Sequence, residues 1–301
     1  MKLSFRLLLL LPFIFIMVGC PAEDPPTTVE ARPYSEVYAE DLAEIQGFMD
    51  THFMTVDADF NVVFTKITVT TPGTAISARP DLEFKTINKG GVDHKLYFIK
   101  LNEGSGGTSG NMQPTRLDSI LTTYKGYKLD LSVFDAKSNV DDWFQMQDVI
   151  QGWQEVFPSF KAADDAVVQG PDGTFSFNDF GAGVMFVPSA LAYFNQSAGS
   201  IGTYTPIMFT FKLMKVRFKD HDGDKILSKD EYGGPTSGIA LDSDGDGKPD
   251  FGDFDDDNDG KLTKEEIRIT PGATGWYAFG SIPTCGSGGN GKKKHLDPFC
   301  Q

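Results

Sequence analysis

The sequence predicts an α+β fold: a curved antiparallel β-sheet wrapped on one short helix, with an N-terminal helix and strand extension and a C-terminal calcium-loop segment. Segments rich in β-branched and aromatic residues recur between residues 94 and 216, which predicts the strands. Val149 to Phe157 is the one short helical pattern among them, and Pro158 ends it. The third observation is a series of Asp-x-Asp-x-Asp runs after Lys219, a spacing typical of calcium loops.

Residues 1–19 have the pattern of a lipoprotein signal peptide. Lys2 and Arg6 precede an apolar run from Leu7 to Val18 that is too short for a membrane-spanning helix. Met17-Val18-Gly19-Cys20 then resembles the lipobox at which bacteria cleave the chain and lipidate the new N-terminal cysteine, so we predict lipidation of Cys20. An ordinary secretory signal and an uncleaved anchor are the alternatives.

Residues 20–32 are predicted to be a tether, since they are Pro-rich and acidic without an apolar period. Position 21 is Pro rather than the Asp associated with retention at the inner membrane. By resemblance to bacterial lipoproteins, we therefore expect a lipid-anchored protein of the bacterial cell envelope, at the periplasmic or surface face of the outer membrane. An anchor of more than one acyl chain holds stably, so membrane attachment needs no transmembrane helix.

Residues 33–92 are predicted to be an N-terminal extension that caps the following domain. Tyr38 to His52 has apolar residues at helical spacing, and Asn61 to Thr70 is a β-branched run typical of a strand. His52 and His94 are lone histidines, which we interpret as structural or exposed. We find no chemistry in this extension.

Residues 93–217 hold the predicted α+β domain. Apart from the helix, the pattern between residues 94 and 216 is one of strands separated by Gly-rich turns. The predicted strands are His94 to Leu101, Leu117 to Tyr124, Lys128 to Val133 continuing into Asp135, Gly183 to Val187 and Ile207 to Val216.

Residues 218–270 are strongly acidic and form the predicted calcium-loop segment. Between Asp220 and Glu266 there are 16 Asp or Glu against 5 Lys, a balance of −11 within a chain of net charge −15. The chain has no basic patch, which argues against nucleic acid as a partner. A solvated acidic linker is the alternative interpretation.

Three loops in this segment match the spacing of calcium ligands, which occupy positions one, three, five, seven (a carbonyl) and twelve of a twelve-residue loop. The third loop has Gly260 at the sharp turn, whereas the first has Lys225 there and the second continues through Pro249. We expect a structural role for Ca²⁺. The predicted metal ligands are Asp220, Asp222, Asp224, the Ile226 carbonyl and Glu231; Asp242, Asp244, Asp246, the Lys248 carbonyl and Asp253; and Asp255, Asp257, Asp259, the Lys261 carbonyl and Glu266.

Residues 271–301 form a tail with the last two cysteines. Cys285 and Cys300 are an even pair in a chain predicted to be exported to an oxidising compartment, so a disulfide is favoured over free thiols. A zinc site is disfavoured, because His295 is the one other soft ligand nearby.

Several motifs between residues 123 and 211 occur in an order that resembles the FKBP-type peptidyl-prolyl cis-trans isomerases. They are Thr123-Tyr124-Lys125-Gly126, Val133-Phe134-Asp135, Val149-Ile150-Gln151-Gly152-Trp153, Ala192-Tyr193 and Pro206-Ile207-Met208-Phe209. The resemblance covers roughly Leu96 to Arg217. Residues 35–92 are similar to the extension of Bacteroidota-type FKBP lipoproteins, and the calcium loops are similar to EF-hand and thrombospondin type 3 repeats. Two departures are Leu131 and Phe194, where the family has glycine.

The resemblance implies a pocket that receives a proline ring. Trp153 would be its floor, Tyr193 would offer a hydroxyl and Ile150 a backbone N–H to substrate, and Asp135 would be the carboxylate of the rim. Phe144 takes one wall position, with Trp143 as the alternative. The site residues that the resemblance implies are Tyr124, Phe134, Asp135, Phe144, Val149, Ile150, Trp153, Tyr193, Ile201 and Phe209.

The function implied is peptidyl-prolyl cis-trans isomerisation of exported, proline-containing polypeptides, without a cofactor for catalysis. Rotation about the bond before proline needs no nucleophile, since a dry apolar pocket can favour the twisted amide. The alternatives are a binding or adhesion lipoprotein that keeps this fold, and a holding chaperone. The sequence leaves the oligomeric state open.

Overall fold

The computed structural model describes residues 30–164, 167–171, 173, 175–233, 240–272, 274–286 and 288–300. The predicted signal peptide and Cys20 lie outside the described residues. The described residues from Arg32 onward form one compact unit. Within the part of the chain that the structure describes, no helix combines the length and apolar character needed to cross a bilayer.

The compact unit begins with an amphipathic helix, α1 (Tyr34–Thr51), which buries Ile45, Phe48 and Met49 along one face. The hairpin of β1 (His52–Val56) and β2 (Val62–Lys66) follows it. The helix starts before the predicted Tyr38, and the strand β2 is shorter than the predicted run to Thr70. β1 was not predicted.

Among the described residues, the main sheet is antiparallel and has seven strands: β3 (Leu82–Lys89), β4 (Val92–Asn102), β5 (Ser119–Lys128), β6 (Val133–Lys137), β7 (Phe144–Gln145), β10 (Gly181–Val187) and β11 (Ile207–Arg217). They lie in the order β3-β4-β10-β11-β5-β6, with β7 beside β5. Register shifts between β4 and β10, between β5 and β6 and between β5 and β11 mark bulges, which bend strands and increase their twist.

Both faces of this sheet are covered, and the two-residue period of β11 shows how. Phe209, Phe211 and Leu213 point into a core shared with α2 (Gln151–Val156), whereas Met208 points to the opposite face, where α1 and the β1–β2 hairpin pack. A single-turn 3₁₀ helix, Phe157–Ser159, continues α2 across Pro158. The extension therefore completes the core on one face of the sheet.

The arrangement confirms the predicted α+β class and the antiparallel sheet against one short helix. The strand predicted from Lys128 to Asp135 is wrong, because a turn at residues 129–132 separates β5 from β6. The strand β3 was not predicted, although it forms one edge of the main sheet. The described residues between 164 and 179 include a small hairpin, β8 (Val167–Gln169) and β9 (Phe175–Phe177).

The described residues of the acidic segment have little regular structure. Its described helix, α3 (Thr263–Glu266), lies near a small apolar cluster of Ile226, Ile267 and Ile282. Cys285 and Cys300 form a disulfide in the tail.

Candidate functional site

A pocket of about 280 Å³ opens between the sheet and the start of α2. The structure brings nine of the ten predicted pocket residues to its lining, whereas Ile201 is buried in the neighbouring core and does not line it. Asp148 was not predicted and lies at the pocket as the residue before Val149. The residues that line the pocket are Tyr124, Phe134, Asp135, Phe144, Asp148, Val149, Ile150, Trp153, Tyr193 and Phe209.

Trp153 forms the centre of the pocket and is 4% exposed. The ring centroids of Tyr124, Phe209 and Phe144 lie 5.0, 5.3 and 5.8 Å from its ring, all in edge-on arrangements. Its indole Nε1 has no hydrogen-bond partner among the described residues. The result is an apolar floor that carries one unused donor.

Two glycines make this arrangement possible. A Cβ on Gly152 would lie 2.6 Å from Val187 Cγ1, so the absence of a side chain lets α2 pack closely on β10. A Cβ on Gly126 would overlap the ring of Phe134, so this glycine leaves room for that wall of the pocket. Both glycines belong to the motifs that carry the family resemblance.

The rim of the pocket is polar. The Tyr124 hydroxyl donates a hydrogen bond of 2.6 Å to Asp135 Oδ2, and burial followed by this bond raises the pKa of Tyr124. Burial, and then the charge of Asp135, also raises the pKa of Tyr193. Both phenols therefore stay protonated at neutral pH, and the Tyr193 hydroxyl can donate to a carbonyl.

The departures at Leu131 and Phe194 keep the backbone that glycine favours. Their φ angles are 68° and 48°, within the left-handed region. The Phe194 ring stacks on Tyr34 of α1 with centroids 4.2 Å apart, and it meets the Tyr204 ring edge-on at 5.2 Å. The extension thus covers Phe194 and supports the loop that follows Tyr193.

A second contact of α1, with the turn that precedes Tyr193, was not predicted. Asp41 is buried, and its Oδ2 accepts hydrogen bonds of 2.7 Å from both the backbone N–H and the hydroxyl of Ser189. Burial raises the pKa of Asp41 to about 6. None of the described residues between 164 and 179 lines the pocket.

The three acidic loops share one hydrogen-bond pattern. The carboxylate at position one accepts from the backbone N–H at position six in every loop, at 3.3, 3.1 and 3.0 Å. The side chain at position nine accepts from the N–H at position two, at 3.1, 2.7 and 3.0 Å. The second loop therefore has the same backbone path as the others up to Asp250, despite Pro249. Lys225 takes a φ of 87°, close to the 93° of Gly260.

The carboxylates at positions one, three and five of each loop converge. In each loop these three side chains have oxygen atoms within 4.8 Å of one another. Asp253, the predicted closing ligand of the second loop, does not join that group; its Oδ1 accepts the Asp255 N–H and lies 3.4 Å from Lys248 Nζ. The converging groups are Asp220, Asp222 and Asp224; Asp242, Asp244 and Asp246; and Asp255, Asp257 and Asp259.

Many carboxylate oxygens of the acidic loops are buried without a hydrogen-bond partner, and a bound divalent cation would compensate for their burial. Both oxygens of Glu266, Oδ2 of Asp257 and Oδ1 of Asp255 are unpartnered among the described residues. Burial, and then the charges of Asp257 and Asp259, raises the pKa of Glu266 to about 8. The residues present in the first and third loops therefore fit a hard, oxygen-binding cation.

Comparison with known proteins found one family model, described as BamM C-terminal, which matches residues 218–292. No curated protein sequence matches this chain.

Three solved structures are similar to this chain over part of its length. A peptidyl-prolyl cis-trans isomerase from Pseudomonas syringae pv. tomato is 18% identical, with a TM-score of 0.37, and the match covers 62% of this chain and 98% of that one. FkpA from Escherichia coli is 20% identical, with a TM-score of 0.34 and coverage of 47% and 54%. The three FKBP domains of wheat FKBP73 are 14% identical, with a TM-score of 0.33 and coverage of 45% and 51%. The match spans about half the length of the latter two proteins.

Proposed function

We propose that this chain is a peptidyl-prolyl cis-trans isomerase that acts on proline-containing polypeptides outside the cytoplasm. The observation that carries the proposal is the aromatic pocket around Trp153, with the hydroxyl of Tyr193 and the Tyr124–Asp135 pair at its rim. The pocket combines a dry floor with few, directed polar groups, as small-ligand sites do.

The chemistry needs only these groups. Rotation about an X–Pro bond crosses a barrier of about 18–20 kcal/mol, because the twisted amide loses its resonance. An apolar pocket favours the twisted amide, which is less polar than the planar one, and the aromatic walls hold the proline ring. The Tyr193 hydroxyl donates to a carbonyl of the peptide, and the N–H of Ile150 is a second candidate donor.

The test is the isomerisation of a short X–Pro peptide by residues 32–301. We expect acceleration in the wild type and a loss of about 2- to 10-fold in Tyr193→Phe, since that change removes one neutral hydrogen bond. Tyr204→Phe is the matched control, because the Tyr204 hydroxyl accepts the Arg32 N–H away from the pocket. A folded protein that binds peptide without accelerating isomerisation would overturn the proposal in favour of a binding module or holding chaperone.

Two further features belong to this proposal. Lipidation of Cys20 would hold the protein at the membrane, and Cys20→Ala should release it from the membrane fraction. Calcium bound by the first and third loops, and by the converging carboxylates of the second, would neutralise the crowded carboxylates and order the segment. Calorimetric titration of residues 32–301 with CaCl₂ tests this, and an absence of binding heat or stabilisation would contradict it.

A further inference from the structure

Three buried carboxylates from two different loops meet in the acidic segment. Asp224 and Glu231 belong to the first loop and Asp256 to the third, and their oxygens lie within 4.8 Å of one another. Asp256 occupies position two of its loop, which supplies no ligand in the spacing of a twelve-residue calcium loop. Its neighbours Asp255, Asp257 and Asp259 converge separately from it.

The three carboxylates are shielded from solvent, yet most of their oxygens have no hydrogen-bond partner among the described residues. Asp224, Asp256 and Glu231 are 1, 2 and 3% exposed. Both oxygens of Asp256, both oxygens of Glu231 and Oδ2 of Asp224 have no hydrogen-bond partner among the described residues. Such carboxylates are rarely buried unless a cation pairs with them.

The cationic side chains of the first loop are engaged elsewhere. Lys225 Nζ lies 5.7 Å from the centre of the Trp276 ring, and Lys229 Nζ contacts Asp230 at 2.8 Å. These two lysines therefore do not neutralise the three carboxylates, which leaves them able to bind a cation.

We propose that Asp256 is a ligand of the cation held by the first loop, so that one Ca²⁺ joins the first loop to the third. Asp224 belongs both to the group with Asp220 and Asp222 and to the group with Glu231 and Asp256, so the two groups adjoin through this residue. This inference rests on the proposed calcium binding and adds a ligand from outside the first loop.

The added carboxylate has two consequences. Calcium affinity rises with the number of charged ligands, so Asp256 offsets the less favourable Lys225 at the turn position. The first loop follows β11 after only Phe218 and Lys219, so the shared ion ties the third loop to the strand that carries Phe209 of the pocket. The shared ion would then fix the position of each loop relative to the other.

The experiment is a calcium titration of residues 32–301 carrying Asp256→Asn, Asp224→Asn, or both. We expect each single change to weaken one and the same calcium site by at least about tenfold, a loss that even outer-shell partners of metal ligands produce. The double variant should weaken that same site further and leave the other sites unchanged, because both residues serve one ion. Glu231→Gln should behave like Asp256→Asn.

Two controls separate this result from general damage. Asp230→Asn changes a first-loop carboxylate that pairs with Lys229, and it should leave calcium affinity unchanged. Asp257→Asn should weaken a different site, and its effect should add to that of Asp256→Asn. In chelator, Asp256→Asn should unfold at the same temperature as the wild type or a higher one, since it removes a buried like charge. The increase in its unfolding temperature on addition of calcium should be smaller than that of the wild type.

The outcomes that overturn the inference are distinct. Unchanged affinity in Asp256→Asn, or a loss at a site that Asp224→Asn leaves intact, would show that Asp256 does not share the first site while leaving calcium binding intact. If Asp256→Asn unfolds at a lower temperature than the wild type in chelator and is stabilised by calcium as much as the wild type, Asp256 has a packing role instead. No calcium binding by the wild type would overturn the calcium proposal as well, and the isomerase test stands apart from it.

Discussion

Leu131, Phe194 and Lys225 each take a left-handed backbone conformation at a position where a related motif has glycine. A side chain in that region costs about 1–2 kcal/mol, so neighbouring contacts must offset the strain. Leu131 packs against the apolar cluster of α1, and Phe194 stacks on Tyr34. At the scale of the residue, these three side chains therefore add contacts while the backbone keeps the conformation that glycine favours.

Gly126 offers a test at the same scale. We expect Gly126→Ala to push Phe134 out of the pocket wall, because a methyl group would overlap its ring, and to lower the free energy of unfolding by about 1–3 kcal/mol. Peptide isomerisation should slow in the folded variant. Urea unfolding and the peptide assay on the same samples measure both effects.

Gly47→Ala is the matched control for Gly126→Ala. Nothing lies within 4 Å of a Cβ at this position of α1, so the change should raise stability by about 0.5–1 kcal/mol and leave activity unaltered. An equal loss of activity in both variants would contradict the role given to Gly126.

At the scale of elements, α1 is attached to the turn that precedes Tyr193 through Asp41 and Ser189. Burial raises the pKa of Asp41 from 3.8 to about 6, so the folded state favours the protonated carboxyl. The stability contributed by Asp41 is therefore fully present below about pH 4 and is lost as the pH rises through 6.

Asp41→Asn tests this electrostatic assignment. Two pKa units correspond to about 3 kcal/mol, so the free energy of unfolding of the variant should rise relative to the wild type by up to that amount between pH 4 and pH 7. Chemical denaturation across this range measures the difference. Asp50→Asn, exposed on the same helix, controls for general effects on α1. A difference between Asp41→Asn and wild type that does not change with pH would contradict the assignment.

At the scale of the whole molecule, Asp118 joins the pocket to the acidic segment. It is buried at the start of β5; its Oδ1 accepts the Lys219 N–H at 3.1 Å, and its carbonyl accepts the Met146 N–H at 2.9 Å. Lys219 precedes the first predicted calcium ligand, and Met146 follows the strand that carries Phe144. A change in the first loop can therefore reach one wall of the pocket.

Removal of calcium should consequently lower the catalytic efficiency. A coupling of about 0.5–2 kcal/mol corresponds to a loss of about 2- to 30-fold in kcat/KM for a short peptide in chelator. Addition of CaCl₂ should restore the activity. Equal activity with and without calcium, in a protein shown to bind the ion, would exclude coupling.

The tail offers a separate test of how the segment is held. The disulfide joins cysteines 15 residues apart, and closing a loop of that length stabilises by about 3 kcal/mol in the chain-entropy account. In a variant with Cys285→Ser and Cys300→Ser, the acidic segment should unfold at a lower temperature than in the wild type. The fluorescence of Trp276 measures this transition. Reducing agent should affect the wild type but not this double variant; equal transitions in both would contradict a stabilising bridge.

The fold class and the ligand spacing could be predicted because each depends on short stretches of sequence, whereas the pocket residues were implied by motifs that resemble a known family. The alternation in β11, the helix that begins after Ile150 and the repeated Asp-x-Asp-x-Asp runs all depend on residues close together in the chain. The strands β1 and β3 could not be predicted in the same way. They carry mixed polar and apolar residues, and they are held by pairing with neighbouring strands.

The sequence by itself determined the α+β class and the loops with calcium spacing, and its resemblance to a known family implied the aromatic residues around Trp153. Only the tertiary structure decided which distant residues meet. Asp41 reaches Ser189 across 148 positions, and Asp256 turns from its own loop towards Glu231 of the first. The physical reason is that these contacts depend on how packed helices, strands and loops position buried polar groups. The spacing of apolar and polar residues along the chain does not encode that position.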